Sequence, residues 1–513
     1  MLNFDAKVFT LGGEKNNTFI QTFPENMEQS HLLELIRTLQ PAEKEHILQY
    51  AALSFVNNGK MRAQVVPLIQ ICLDHLWVNS TQELKSKEVF AALFPGQEFV
   101  EGKLEKVRVE AHKVVRTFLT VQYYLREDNE FNQVIDLSEV VRTKGLDSRH
   151  QHLLSKLQKM QAESVWKNEI YFHRQFLLEY VIHEEECLHN QLKGDLNVPN
   201  VIQALELHGH LNRLALLNRF LLQQKVAKID VPYNIKTLLE ENNVPARYLE
   251  DSAPLKVNFV IFKLLRKELI EPVDVRSLFD LLLQQEKDID PDSLRGFYTY
   301  LRNLCVLIFS IDAQNEKINF TLHDLYKDNL KRGYLHYKGK LHSGAYLAVC
   351  NNAIWVKKYE WVLKFIEEYK HVLIDENETQ DFYRLNMANY LFAVGRFSES
   401  LDFIPETSTS VAYLLQGKRL ELKALYELVS DRFSYRLDNF KMFLIRTSTK
   451  FLSEVQKKNH VDFANLLSQI ANSAPEDQKR SQLLIKRVQE KKQSAEWRWL
   501  LASDAQNTDA SYK

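Results

Sequence analysis

The residues of this chain best suited to chemistry are a group of histidines and a cysteine before residue 190. His183 and Cys187 are four positions apart, so on a helix they share a face, and Glu186 and His189 share another. Imidazole and thiolate are the ligands that zinc prefers, but a zinc site needs at least one more, for which His173 is a candidate. No HExxH or paired CxxC motif accompanies the group. We therefore predict a solvated helix face with one buried cysteine, and no metal site.

The aspartate-rich segment 288–293 has the alternating carboxylates of a calcium-binding loop. Such a loop needs Gly at its sixth position and Glu at its twelfth, where this chain has Ser293 and Thr299. Asp290 or Asp292 is therefore predicted to cap the N-terminus of the following helix.

Motifs for catalysis or nucleotide binding are missing from the sequence. It contains no GxSxG, GxxxxGK[ST] or GxGxxG. Carboxylate pairs are frequent, but on amphipathic helices such pairs form solvated faces. We therefore assign no catalytic, cofactor-binding or metal-ligating residue and expect no enzymatic activity and no cofactor.

The elements that position these residues are predicted to be helices, because the chain is poor in glycine. It has 14 Gly and 12 Pro in 513 residues, against about 7% and about 5% in average proteins. Tight hairpins and phosphate loops need glycine, whereas amphipathic stripes recur along this chain. The fold class is therefore all-α. Gly209, inside one such helix between His208 and His210, is predicted to allow close packing by a neighbouring helix.

The charge balance argues against a surface built as a whole for nucleic acid. Lys plus Arg number 66 and Asp plus Glu 67. One basic segment, residues 86–119, is similar to the last helices of winged-helix activators, and it keeps a nucleic-acid-associated regulator as the alternative function. Its basic residues are Lys103, Lys106, Arg108, Lys113 and Arg116. A second basic run, residues 479–492, is predicted to be an exposed helix face.

The sequence favours a cytoplasmic protein that does not span a membrane. Its N-terminus lacks a basic segment followed by an apolar core, and its apolar runs are too short to span a bilayer. The cysteines are far apart and predicted to be reduced and mostly buried. They are Cys72, Cys187, Cys305 and Cys350.

A repeat is visible in the C-terminal half. Three segments share an apolar helix end, a short turn, an aromatic residue and a further apolar position. Aligned on Tyr359, Phe397 and Phe433, they are 38 and 36 residues apart. A period of this length is expected for pairs of helices.

Residues 389–401 resemble the turn between the two helices of a tetratricopeptide repeat. Gly395, Phe397 and Ser400 stand where that family has its turn glycine, its turn aromatic and a small residue of the second helix. The resemblance covers about residues 320–445 and implies stacked helix pairs that form a solenoid with a groove.

The other two copies depart from this pattern, since Lys357 and Asp431 stand at the glycine position. The C-terminal half also resembles bacterial helical-repeat proteins of unassigned function, which share its closing Trp-rich element, residues 496–501. That resemblance implies no activity.

The predicted organisation is an α-solenoid, or helical repeat array, in five parts. A partly extended or disordered leader covers residues 1–27, an N-terminal helical array 28–200, a middle helical array 201–318, a tetratricopeptide-like solenoid 319–502, and a disordered tail 503–513.

The function that this organisation favours is a non-enzymatic scaffold for a protein or peptide partner. Aromatic residues of the repeats either pack the stack or line its groove. The residues so predicted are Trp355, Tyr359, Trp361, Tyr390, Gly395, Phe397 and Phe433. The partner and the oligomeric state are left open.

Overall fold

The computed structural model describes most of the chain. The described residues are 27, 30–77, 83–189, 194–227, 232–241, 243–311, 316–374, 379–404, 411–448, 452, 454–473, 478–491 and 494–509. About 79% of the chain is helical, which confirms the predicted all-α class. No helix in these ranges is both long and apolar enough to cross a membrane. The predicted leader falls almost wholly outside the described residues.

The described part of the chain contains 24 α-helices and one short hairpin. The first twelve helices are α1 (His31–Arg37), α2 (Glu43–Ala52), α3 (Arg62–Trp77), α4 (Ser86–Leu93), α5 (Glu101–Tyr124), α6 (Glu130–Thr143), α7 (Asp147–Ala162), α8 (Glu169–His189), α9 (Val198–Ala227), α10 (Tyr233–Glu241), α11 (Ala246–Asp251) and α12 (Ala253–Arg266). The others are α13 (Pro272–Gln285), α14 (Pro291–Ile311), α15 (Glu316–Lys331), α16 (Ser343–Trp355), α17 (Tyr359–Tyr369), α18 (Thr379–Ala393), α19 (Phe397–Phe403), α20 (Val411–Glu427), α21 (Phe433–Arg446), α22 (Glu454–Ala471), α23 (Gln478–Glu490) and α24 (Trp497–Asp509).

Local capping signals explain where several helices begin. At the start of α12, the Ser252 hydroxyl accepts a hydrogen bond from the Leu255 amide at 3.2 Å. The Asp290 carboxylate accepts the Ser293 amide at 3.0 Å at the start of α14. The helix-capping role predicted for this aspartate-rich segment is confirmed, with Asp290 as the capping residue.

The chain divides into two compact units, and the division falls within α9. In the unit of residues 8–210, α1–α5 enclose a core that includes Phe90 and Phe118. A separate cluster, built around Phe131 and Leu157, joins α6, α7 and α8. The predicted boundaries at residues 200 and 318 stay predictions.

In the unit of residues 211–513, helices adjacent in the chain pack on one another from α11 to α24. Alternate helices also touch: α12 with α14, α16 with α18, α18 with α20, and α22 with α24. The core of α20–α24 contains Phe440, Phe463 and Leu500. Residues 503–509, which the sequence places in a disordered tail, form the end of α24.

The three predicted repeat turns share one geometry. Tyr359, Phe397 and Phe433 are each the first residue of a helix. A residue at positive φ lies two positions after the end of each preceding helix. The amide of the next residue donates to a carbonyl of the last helical turn, as in a Schellman motif. The residues at positive φ are Lys357 (58°), Gly395 (81°) and Val429 (50°). Val429, and not Asp431, therefore occupies the glycine position of the third turn, because that turn is two residues longer.

A hairpin absent from the sequence prediction follows α15. Strands β1 (His336–Tyr337) and β2 (Lys340–Leu341) pair antiparallel. Lys338 and Gly339 both have positive φ, 50° and 78°, which suits a two-residue hairpin turn.

The close packing predicted at Gly209 is not found. No described atom outside its own helix backbone lies within 4 Å of a Cβ built at this position. Gly209 therefore leaves open space beside α9 within the described part of the chain.

Candidate functional site

An open cleft lies between α13 and α15, over α14. Its apolar lining includes Val275 and Phe279 of α13, Leu301 of α14, and Ile318 and Leu325 of α15. The cavity volume is about 360 Å³, within the usual range of ligand pockets. Leu301 is fully buried beneath it and comes from the helix on which both walls pack.

The two walls run in the same direction. Glu286, directly after α13, pairs with Arg332, directly after α15, so the C-terminal ends of these helices lie together. Arg332 Nε also lies 2.9 Å from an Asp328 oxygen. Burial lowers the pKa of Arg332, but its hydrogen bonds to Asp328 and Glu286 outweigh burial and raise that pKa above its usual value. This bridge ties the walls together at one end of the cleft.

The charged residues of the cleft are separated by sign. Arg276 and Lys317 lie towards the N-terminal ends of α13 and α15, and Asp324 and Asp328 lie further along α15. Arg276 also pairs with Asp280 at 3.1 Å, in an exposed contact. The cleft therefore has a positive end, an apolar middle and a negative end.

The surface around the predicted residue Trp355 is covered by the chain itself. The Arg498 guanidinium lies 4.1 Å from the centre of the Phe309 ring and 5.8 Å from that of Trp355. Phe309 and Trp355 meet edge to face at 5.1 Å. Burial lowers the pKa of Arg498. Trp355 is therefore half-buried in a contact between α14, α16 and α24.

Next to this contact, Glu496 forms ion pairs that hold the start of α24 against α20. Its carboxylate lies 3.1 Å from Arg419 Nε and 2.8 Å from Lys423 Nζ. Burial raises the pKa of Glu496, but the two cations outweigh burial and lower it to about 2. The Arg419 guanidinium also lies 3.3 Å from His460 Nδ1. Burial and the charge of Arg419 lower the pKa of His460 to about 3.

The other predicted aromatic residues take part in separate contacts. Trp361 stacks on Phe365, with ring centres 5.3 Å apart. Phe397 lies 5.2 Å from Phe392 across its own turn, and Phe433 lies 6.0 Å from Tyr426. Tyr359 and Tyr390 are half-buried, and Gly395 is exposed in its turn.

The histidine and cysteine group does not assemble further ligands. Cys187 Sγ lies 3.7 Å from His183 Nε2, and His183 Nδ1 lies 2.7 Å from a backbone carbonyl oxygen, to which it donates. His173 instead pairs with the His208 ring at 5.1 Å. Among the described residues no group of three His, Cys, Asp or Glu is placed to hold a metal. The side chain of His189 lies outside that set.

In the basic segment 86–119, two cations contact the chain itself. Lys103 Nζ lies 4.0 Å from the Phe94 ring centre and 2.5 Å from Gln97 Oε1. Arg108 pairs with Glu105 one turn earlier on α5. The nucleic-acid alternative stays a prediction.

Sequence reasoning missed the cleft between α13 and α15. The charges of α15 alternate with apolar residues as on any solvated amphipathic helix. No single-helix pattern shows that α13 lies beside α15 across α14. Compared with family models, curated proteins and solved structures, the chain has no match.

Proposed function

We propose that this chain is a non-enzymatic helical-repeat scaffold that binds a peptide segment of a partner protein in the cleft between α13 and α15. One observation carries this proposal: the cleft is open, has an apolar floor and is lined by charged side chains. Apolar contact supplies affinity in such a site, and a few placed charges supply specificity.

The proposal includes a solenoid architecture, tetratricopeptide-like over residues 319–502. Support comes from the packing of adjacent and alternate helices between α11 and α24. Further support comes from the shared turn geometry before Tyr359, Phe397 and Phe433. Stacked helix pairs of this kind present long surfaces to partners. The four free cysteines, three of them buried, suit the cytoplasmic location that we propose.

The experiment that tests the proposal closes the cleft with one side chain. Thr321 is exposed on α15 at the rim of the cleft, and Val461 is exposed on α22. Thr321→Trp and Val461→Trp therefore add the same ring at a cleft position and at a control position. Affinity capture from the native host, quantified by mass spectrometry, is expected to lose a protein partner with Thr321→Trp and to keep it with Val461→Trp.

Both variants must first show the circular dichroism spectrum and melting temperature of the unaltered chain. If both fold and every captured protein is retained equally by the two, the cleft does not hold the partner. The proposal then fails.

A further inference from the structure

The distribution of charges along the cleft indicates which kind of peptide it binds. At one end, Lys317 lies in the first turn of α15, where the helix dipole adds positive potential, and Arg276 lies just beyond the first turn of α13. At the other end, Asp328 lies in the last turn of α15, where the dipole adds negative potential, and Asp324 lies one turn before it. The charges and the helix dipoles therefore act in the same sense along the cleft.

The negative end keeps an excess of carboxylates. Glu286 and Asp328 pair with the single guanidinium of Arg332, and Asp324, one turn before Asp328 on α15, adds a third carboxylate. Asp324 is exposed on the face of α15 that lines the cleft. A ligand cation at this end therefore meets a net negative charge.

The length of the cleft sets the length of the ligand. Lys317 and Asp328 are three turns apart on α15, a distance of about 16 Å. An extended chain advances about 3.3 Å per residue, so about five residues span the cleft. Between its ends the ligand lies over the half-buried ring of Phe279, beneath which Val275 and Leu325 are at most 4% exposed.

We propose that the cleft binds a peptide segment of about five residues with an acidic side chain at one end, apolar side chains in the middle and a basic side chain at the other. The acidic group lies beside Lys317 and Arg276, and the basic group lies beside Asp324 and Asp328. This inference rests on the proposed function of the cleft, and it names the chemistry of the partner segment.

The test compares three synthetic peptides with blocked ends. The mixed peptide is Glu-Leu-Phe-Leu-Lys, and the others carry Glu at both ends or Lys at both ends. Fluorescence polarisation with labelled peptides at low salt measures their affinities for the full chain. The mixed peptide is expected to bind about 1.5- to 5-fold more tightly than either of the others, as is usual for one exposed charge pair.

Charge reversal is expected to change this preference in a defined way. Lys317→Glu offsets the charge of Arg276 and leaves that end about neutral, so the mixed peptide loses its advantage over the peptide with two Lys. Asp324→Lys leaves two carboxylates against two cations at the other end, so the mixed peptide loses its advantage over the peptide with two Glu. Lys458→Glu and Asp431→Lys make the same charge changes at exposed positions outside the cleft and leave the preference for the mixed peptide unchanged.

Two results would overturn the inference. If the three peptides bind the unaltered chain equally, or if the cleft variants keep the order of affinities, charge polarity does not select the ligand. If none of the peptides binds at 1 mM, a segment of this chemistry is not the ligand. Capture with Thr321→Trp decides separately whether the cleft holds any partner, so the two proposals can fail independently.

Discussion

Replacing Glu496 by Gln is expected to release the start of α24 from its unit. The Arg419 and Lys423 side chains that hold its carboxylate are only 8% and 12% exposed. The pKa of Glu496 falls from 4.5 to about 2 in the folded chain. At about 1.4 kcal/mol per pKa unit, this shift corresponds to about 3 kcal/mol of stabilisation. Removing one partner of a buried ion pair costs about 3–5 kcal/mol in other proteins, which is the same range.

The stabilisation by Glu496 depends on pH with a definite sign. Because its folded pKa is depressed, the contribution is complete above its unfolded value of about 4.5. It is lost as the pH falls from there through the folded pKa of about 2. At pH 7 the difference between Glu496→Gln and the unaltered chain is therefore at its maximum.

Hydrogen exchange at α24 measures this effect directly. The Leu500 amide donates to the Glu496 carbonyl oxygen at 3.1 Å, so its protection reports on the start of the helix. A loss of about 3 kcal/mol lowers that protection about 100-fold at pH 7. Glu490→Gln makes the same change at an exposed position of α23 and is expected to leave it unchanged. Protection within threefold of the unaltered chain in Glu496→Gln would refute the reasoning.

Three further predictions concern the same unit. Because the pKa of His460 is depressed to about 3, unfolding of the unit should become easier by about 2 kcal/mol between pH 6.5 and pH 5; denaturant titration should show no such loss in His460→Asn. Gly395→Ala should cost about 1 kcal/mol and Lys357→Gly should stabilise by a similar amount, since both positions have positive φ, and melting curves distinguish the two signs. Arg498→Met should destabilise the unit less than Arg498→Ala in the same assay, because both variants remove the charge but methionine keeps most of the packing on Phe309 and Trp355.

The helical class was predictable because it depends on composition and on short-range periodicity. Few residues of this chain favour turns with positive φ, and the apolar stripes recur at helical spacing. The helix starts at Tyr359, Phe397 and Phe433 followed from the same local signals. A capping aspartate such as Asp290 can also be predicted from the local sequence, because the amide that it accepts from is only three residues away.

Features that depend on tertiary packing were not predictable in this way. Helix α6 (Glu130–Thr143) has a weak local signal, because its valines, isoleucine and asparagine have modest helix propensity, and it packs against α7. The left-handed residue of the third repeat turn is Val429, which no propensity favours. The hairpin at Lys338 and Gly339 offered one glycine as its only local signal.

The candidate site also depends on tertiary packing and could not be predicted from local sequence patterns. Lys317, Asp324 and Asp328 are spaced like ordinary solvated residues of an amphipathic helix, and only the placement of α13 beside α15 makes them the lining of a cleft. Trp355 is the opposite case, since it was predicted either to pack the stack or to line its groove, and Arg498 covers it.

The contrast between these two surfaces explains why the cleft is the better binding site. Near the ends of α14 and α16, the Arg498 guanidinium of the same chain already covers the aromatic pair of Phe309 and Trp355. A partner that binds there must first displace α24. That displacement would break the ion pairs of Glu496 and expose Leu500, which is fully buried in the core of the unit. Between α13 and α15 no such cost arises, because the walls are already held by the bridge at Arg332 and the floor is formed by α14. A partner at the cleft therefore bears only the ordinary entropic and desolvation costs of association.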